Sequence, residues 1–328
     1  MGAGLLYAAV ALVVAMLALL FVGFGLLQKR DFVRRRILVE RFIRQVLLEE
    51  GAGGSNGAPS PAAAGDRSVP ADGDESRPEP RVPFGVTVYQ LRRSTSTITD
   101  AEVLRLLEAN QLQQDRDFAP AWGLVPARIL IASADQPIPP CAVGCQLRDA
   151  RPDDDPDALA YHTVEDGRST IHVLVDRILA QPGATLDDVS CALGHEILEE
   201  REDFGADESS DRDDGSEEPF EVVDRVQDTR YPKTLSDGTK LAVTNFLLPA
   251  AFVPGSEGPW DFLGLLKERG GQTPGGYHLE RQPGGQWNVA GDARACLRFS
   301  RRCIDCKGID VATVRKAAEA SAARSSTT

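Results

Sequence analysis

Residues 190–200, SCALGHEILEE, bring His195, Glu196 and Glu199 together in one short stretch that reads as helix. His195 and Glu199 are four positions apart, so a helix sets them one turn apart on one face, where an imidazole and a carboxylate can hold a metal ion. Glu196 projects beside them and is placed to take a proton from a water. A catalytic metal site has three protein ligands and one position left for water, so a third ligand must come from elsewhere. Glu221 is the leading candidate, with Asp224 as the alternative ligand or as a group that orients one. Tyr231, Tyr277 and His278 are the candidates for stabilising an oxyanion on a substrate.

The H-E-x-x-E spacing is one residue away from H-E-x-x-H, in which two zinc ligands and a general base share a helix. Glu199 in place of a second imidazole adds negative charge, which weakens the ion as a Lewis acid and leaves room for zinc or a harder ion such as manganese. The motif alone is cheap, because Glu is a common helix former on solvated faces. The metal reading gains from Glu221 and Asp224, which interrupt a segment (220–226) that otherwise reads as a buried strand; buried carboxylates demand a partner. His162 and His172 fall in strand-like segments and read as structural histidines, and Cys191 as a small packed residue. Cys141 with Cys145, and Cys303 with Cys306, have the spacing of a structural four-thiolate zinc site; chance pairing of buried cysteines is the competing reading.

Several elements must position these groups. Thr185 and Asp188 form a capping box for a helix over 185–203 with Leu186, Val189, Leu193 and Ile197 as its apolar stripe. Strands are expected at 85–91, 128–132, 170–175 and 241–249, a helix over 99–114 and a last helix from about residue 310. Residues 204–219, rich in Asp, Glu, Ser and Gly, read as an exposed loop, and 275–278 as another. The expected fold is α+β, a small mixed sheet packed on the metal-site helix.

H-E-I-L-E at 195–199, E-V-V-D-R-V-Q at 221–227, V-T-N-F-L-L-P-A-A-F at 243–252 and G-G-Y at 275–277 together resemble a family of uncharacterised bacterial and phage-associated zincin-like proteins. The likeness covers roughly residues 185–290. It implies a zincin-like, peptidase-type metal-binding domain with His195, Glu199 and Glu221 in the matching positions, and it implies no substrate. Thr244 stands where Ser is usual in that pattern, and an acidic insertion precedes Glu221.

Leu5–Leu27 carries no charged residue and, at about 1.5 Å per residue, is long enough to span a hydrocarbon core. Lys29, Arg30, Arg34, Arg35 and Arg36 follow it at once, which places the C-terminal body in the cytoplasm. The expected organisation is a single-pass anchor (1–30), a basic amphipathic helix on the membrane surface (31–50), a Gly/Pro/Ser/Ala tether (51–81) and a metal-binding domain (82–328). The chain has a net charge of −13; residues 1–50 are at +3, so the remainder carries −16, which argues against nucleic acid as a partner. Two functions fit: a membrane-anchored metal-dependent hydrolase acting on a protein or peptide, or a non-catalytic metal-stabilised binding module.

Overall fold

The computed structural model describes residues 87–139, 142–165, 168–203, 209–212, 214–299 and 311–325. The expected anchor, juxtamembrane helix and tether lie outside the described residues. Among the described residues, no helix is long and apolar enough to cross a membrane.

The protein is α+β. Its main sheet has five strands in the order β2-β1-β3-β5-β4, with β1 at Val88–Arg93, β2 at Arg128–Ile131, β3 at Ala142–Arg148, β4 at Ala160–Glu165 and β5 at Arg168–Leu174. β1, β2, β3 and β5 run parallel, and β4 returns antiparallel to β5 as an edge strand. Helix α1 (Asp100–Gln113) carries a complete capping box between Thr99 and Glu102. A π-turn at Gln114–Phe118 and helix α2 (Ala119–Trp122) prolong it, and α2 ends on Gly123. After β5 come a short helix, α3 (Val175–Leu179), and helix α4 (Leu186–Glu202), which bears the H-E-x-x-E. The expected box between Thr185 and Asp188 caps α4, and its stripe of Val189, Leu193 and Ile197 enters a core shared with Tyr89, Leu91, Ile171 and Val173 of the sheet. α4 therefore lies against β4 and β5, with α1 and β9 (Lys240–Thr244) on its other side.

Several local expectations are corrected. The strand at 142–148 is not among the expected ones, although β3 is central, while β4 at 160–165 takes in the strand-like segment of His162. The acidic stretch contributes β6 (Ser209–Asp211) and β7 (Glu217–Pro219) to a second sheet, of order β11-β10-β7-β6, rather than an unbroken loop. Strand β10 (Tyr277–Arg281) takes in His278, and β11 is Trp287–Gly291. Residues 220–226 are not a strand: an irregular segment ends in a 3-10 turn at Asp224–Val226. β8 (Arg230–Thr234) pairs with β9, which stops at Thr244, and residues up to Phe252 continue as a bridge at Leu247 and a 3-10 turn at Pro249–Phe252. Helices α5 (Ala293–Phe299) and α6 (Val311–Ser325) pack together at the C-terminal end.

A second apolar cluster explains why 220–226 is irregular. Phe220, Val222, Val223 and Val226 all insert among Phe118, Trp122, Phe246 and Phe252, and Trp122 meets Phe220 edge-on at a centroid distance of 5.7 Å. Burying four such side chains from seven residues, at about 1.5–3 kcal/mol each, outweighs the alternation of a strand. It also leaves Glu221 and Asp224 turned toward α4.

Candidate metal centre

Helix α4 presents carboxylates on two adjoining faces. On the first, His195 Nε2 lies 3.0 Å from Glu199 Oε2 and 3.3 Å from Asp224 Oδ1. Ligand atoms of His195, Glu199 and Asp224 all fall within 4.8 Å of one another, which is the span of a single ion's ligands. On the second face, His162 Nδ1 of β4 lies 2.9 Å from Glu196 Oε2, and His162, Glu196 and Glu199 form another group within 4.8 Å. One turn further on, Glu200 Oε2 accepts a 2.6 Å hydrogen bond from the Tyr89 hydroxyl. All of these side chains are buried.

Glu221, the expected third ligand, is not in either compact group; Asp224 takes that place. Glu221 instead stands in hydrogen-bonding contact with Glu199. Two buried carboxyl groups in such contact require a proton or a cation between them. Burial raises Glu199 well above the usual carboxylate range, and Asp224, Glu221 and Glu196 push it further the same way. Burial likewise pushes Glu196 up to about 8, with Glu221 and Asp224 adding to the rise and His195 opposing it. For His195 burial acts downward, but the hydrogen bond to Asp224 and the charges of Glu196, Asp224 and Glu221 prevail, and its net shift is upward. Negative charge thus dominates the interior here. Oε1 of Glu196 and Oε1 of Glu199 are buried and receive no hydrogen bond, a costly condition that a cation would relieve.

The Gly275-Gly276-Tyr277 run is what holds Asp224. Gly275 adopts φ +81°, and a Cβ on Gly276 would sit 2.2 Å from the carbonyl oxygen of Arg225, so only glycine lets this strand entry press on the 3-10 turn. Tyr277, fully buried, hydrogen-bonds Asp224, and burial with the neighbouring charge of Asp224 raises its phenol well above the ordinary value. Gly194 has a related role: a Cβ there would lie 2.8 Å from Asn110 Oδ1, so α1 can approach α4 one residue before His195. Asn245 bonds Asp261 at 2.8 Å and tethers the loop after β9, while Thr244 lies against Gly194.

A cleft of about 510 Å³ opens beside α4, lined by Asp188, Cys191, His195, Asp228, Arg230, Arg298 and Phe299. His195 is one of its lining residues, stacked on Phe299 at 4.7 Å and only 2% exposed. Burial pushes the Cys191 thiol up to about 12, so this cysteine in the cleft wall is a packed, unreactive group.

The other expected site residues are placed elsewhere. The Tyr231 hydroxyl donates to Asp117 at 2.6 Å, and His278 is held between Arg212 at 2.8 Å and Gln272 at 3.1 Å; neither adjoins the His195 cluster as an oxyanion stabiliser. Tyr277 adjoins it, through Asp224. Cys145 is buried in β3 within the main core, where burial raises its thiol well above the ordinary value. Cys141, Cys303 and Cys306 lie outside the described residues. His172 lies tilted against Tyr161 at a centroid distance of 4.8 Å. His162 is the residue that sequence reasoning missed: it was read as structural, yet it meets Glu196. Its only signal was the alternation of AYHTVE, which turns Ala160 and His162 to the same side.

Compared with family models, with curated proteins and with solved structures, the chain gives no match. The buried His/Glu/Asp groups could hold a metal ion.

Proposed function

We propose that the protein is a metal-dependent hydrolase of zincin-like, peptidase type, anchored to a membrane through residues 5–27 with its catalytic domain on the cytoplasmic side. The observation that carries this reading is the convergence of His195, Glu199 and Asp224 within 4.8 Å, with His195 also lining a cleft of about 510 Å³. A ligand set of one imidazole and two carboxylates suits zinc or manganese. The resemblance around H-E-I-L-E, E-V-V-D-R-V-Q and G-G-Y adds support, with Asp224 in the ligand role and Glu221 beside it.

A divalent ion bound there would polarise a substrate carbonyl and acidify a water. The chain supplies the rest. Glu196, adjacent to His195 on α4, is positioned to accept a proton and return it to the leaving group. Tyr277 fixes the Asp224 carboxylate, and such supporting contacts are what hold a ligand in geometry. Phe299, stacked on His195, keeps bulk water from that side of the ring. Arg230 and Arg298 on the cleft wall offer cationic contacts to a substrate's acidic groups.

A second reading has its own observation. His195, Glu199 and Asp224 are each no more than 2% exposed, and closed sites are characteristic of structural metals. In that reading the ion stabilises a membrane-tethered binding module. Glu196 separates the two: metal analysis of the full chain beside His195→Ala and Glu196→Gln, followed by a peptide-library screen, decides. Metal kept and cleavage lost in Glu196→Gln supports the hydrolase; metal bound with no cleavage by the native chain supports the module; no metal in any of the three overturns both.

A further inference from the structure

We propose that the centre holds two cations bridged by Glu199, one among His195, Asp224 and Glu199 and a second among His162, Glu196 and Glu199. The inference builds on the metal reading above and changes one role within it: Glu196 becomes a ligand of the second ion.

Helix geometry makes Glu199 the natural bridge. At about 100° per residue, Glu196 projects roughly 100° round from His195, and Glu199 falls between them, about 40° from one and 60° from the other. The packing follows that division. Asp224 approaches from the 3-10 turn on the His195 side, His162 approaches from the edge strand on the Glu196 side, and Glu199 belongs to both groups. A carboxylate has two oxygens with which to serve two ions, and Oε2 of Glu199 faces His195 while Oε1 is buried without a hydrogen bond. Oε1 of Glu196 is in the same condition.

Charge points the same way. Glu196, Glu199, Glu221 and Asp224 are all buried in contact with this cluster, and its two histidines are neutral when they ligate. With one divalent ion the two remaining carboxylates would have to bind protons or stay uncompensated in the interior, whereas two ions match four carboxylates, and burying unpaired charge is among the costliest arrangements in a protein. Two-ion hydrolytic centres have ions about 3.5–4 Å apart, a distance one bridging carboxylate spans. With Glu196 as a ligand of the second ion, its replacement by glutamine would still lower turnover, through loss of that ion's ligand charge as well as of a base.

The test uses the full chain in detergent, stripped with a chelator and reloaded with Mn²⁺, read by elemental analysis and electron paramagnetic resonance. The expected result is about two equivalents with the multiline spectrum of an exchange-coupled pair, falling to about one uncoupled equivalent in His162→Ala. The wild-type spectrum carries the test by itself if that variant fails to fold. One equivalent in the wild type overturns the second site and leaves the single-ion hydrolase standing. Two uncoupled equivalents, or two retained in a folded His162→Ala, overturn the bridge. No bound manganese overturns both readings.

Discussion

His162 Nδ1, on the edge strand β4, lies 2.9 Å from Oε2 of Glu196 on helix α4, although 34 residues separate them in sequence. The contact ties the expected catalytic carboxylate to the main sheet, so Glu196 is held from a direction that the helix alone does not provide. Its consequence is a test of Glu196 itself. In Glu196→Gln the side chain keeps its size and can still bond His162, while its basicity and negative charge are gone. Cleavage of a peptide pool should fall by about 10²–10⁴, while the ion among His195, Glu199 and Asp224 stays bound. Unchanged turnover in a metal-loaded variant would sink the assignment.

Asp224 and Glu221 are predicted to differ as ligands. Asp224 lies 3.3 Å from His195 Nε2, whereas Glu221 stands in hydrogen-bonding contact with Glu199 and belongs to neither compact group. Asp224→Ala should therefore weaken metal binding more than Glu221→Gln does, by competition against a fluorescent chelator. Tyr277→Phe, which removes only the hydroxyl on Asp224, should weaken it by about 10–100-fold. Equal effects of the Asp224 and Glu221 changes would count against Asp224 as the nearer ligand.

Gly276 is a vulnerable small residue near the centre. A methyl group there would meet the Arg225 carbonyl at 2.2 Å, and backbone cannot rotate aside as a side chain can. Gly276→Ala should cost roughly 1–3 kcal/mol in denaturant unfolding, and because Arg225 follows Asp224 it should also lower metal affinity. Loss of stability with affinity intact would show that the turn shifts as a unit without disturbing Asp224.

What could be read from sequence follows from where the information lies. The capping box at Thr185 and Asp188 and the stripe of Val189, Leu193 and Ile197 are local, so helix α4 and its motif were legible. Strand β3 was not, because Gly144, Cys145 and Gln146 give it neither a β-branched run nor alternation; it is buried on both sides by neighbours at β1 and β5. The valines of 220–226 suggest a strand in isolation, and only Trp122, Phe246 and Phe252, from distant segments, turn them into one wall of an apolar cluster. Asp224 was thus named as the second choice for the third ligand, since whether residue 221 or 224 faces His195 depends on that cluster. Tyr277, expected as an oxyanion stabiliser, hydrogen-bonds Asp224, a contact between distant segments that no local pattern announces.

Removing metal should cost stability. The buried carboxylates repel one another, and an ion that binds only the folded chain adds about 4 kcal/mol at a thousandfold excess over its Kd. For a domain of this size each kcal/mol is worth about 2–4 °C, so a chelator should lower Tm by roughly 10 °C and added zinc or manganese should restore it. His195→Ala should show no such response. A native chain whose Tm ignores both chelator and metal would leave the cluster without an ion.

Acid should weaken the fold through two histidines remote from the centre. Burial pushes His172 down to about 4, with the Arg148 charge acting the same way and Asp154 opposing; burial pushes His278 down to about 3, assisted by Arg212 and Arg225. Both folded values lie below the value of about 6.5 for an exposed histidine, so between the two the unfolded chain binds more protons than the folded one. Their contribution to stability is therefore complete above about pH 6.5 and is lost progressively as pH falls toward 4 and 3. Asp154, held well below the usual carboxylate range chiefly by its hydrogen bonds from Arg148, contributes its own loss only at lower pH, below about 4. The measurable quantity is the difference in stability between pH 7 and pH 4.5 by urea unfolding. It should be smaller in His278→Gln than in the native chain, because glutamine takes up no proton in either state. An identical pH dependence in the two proteins would mean that His278 is as easily protonated in the folded chain as in the unfolded one, against its position between Arg212 and Gln272.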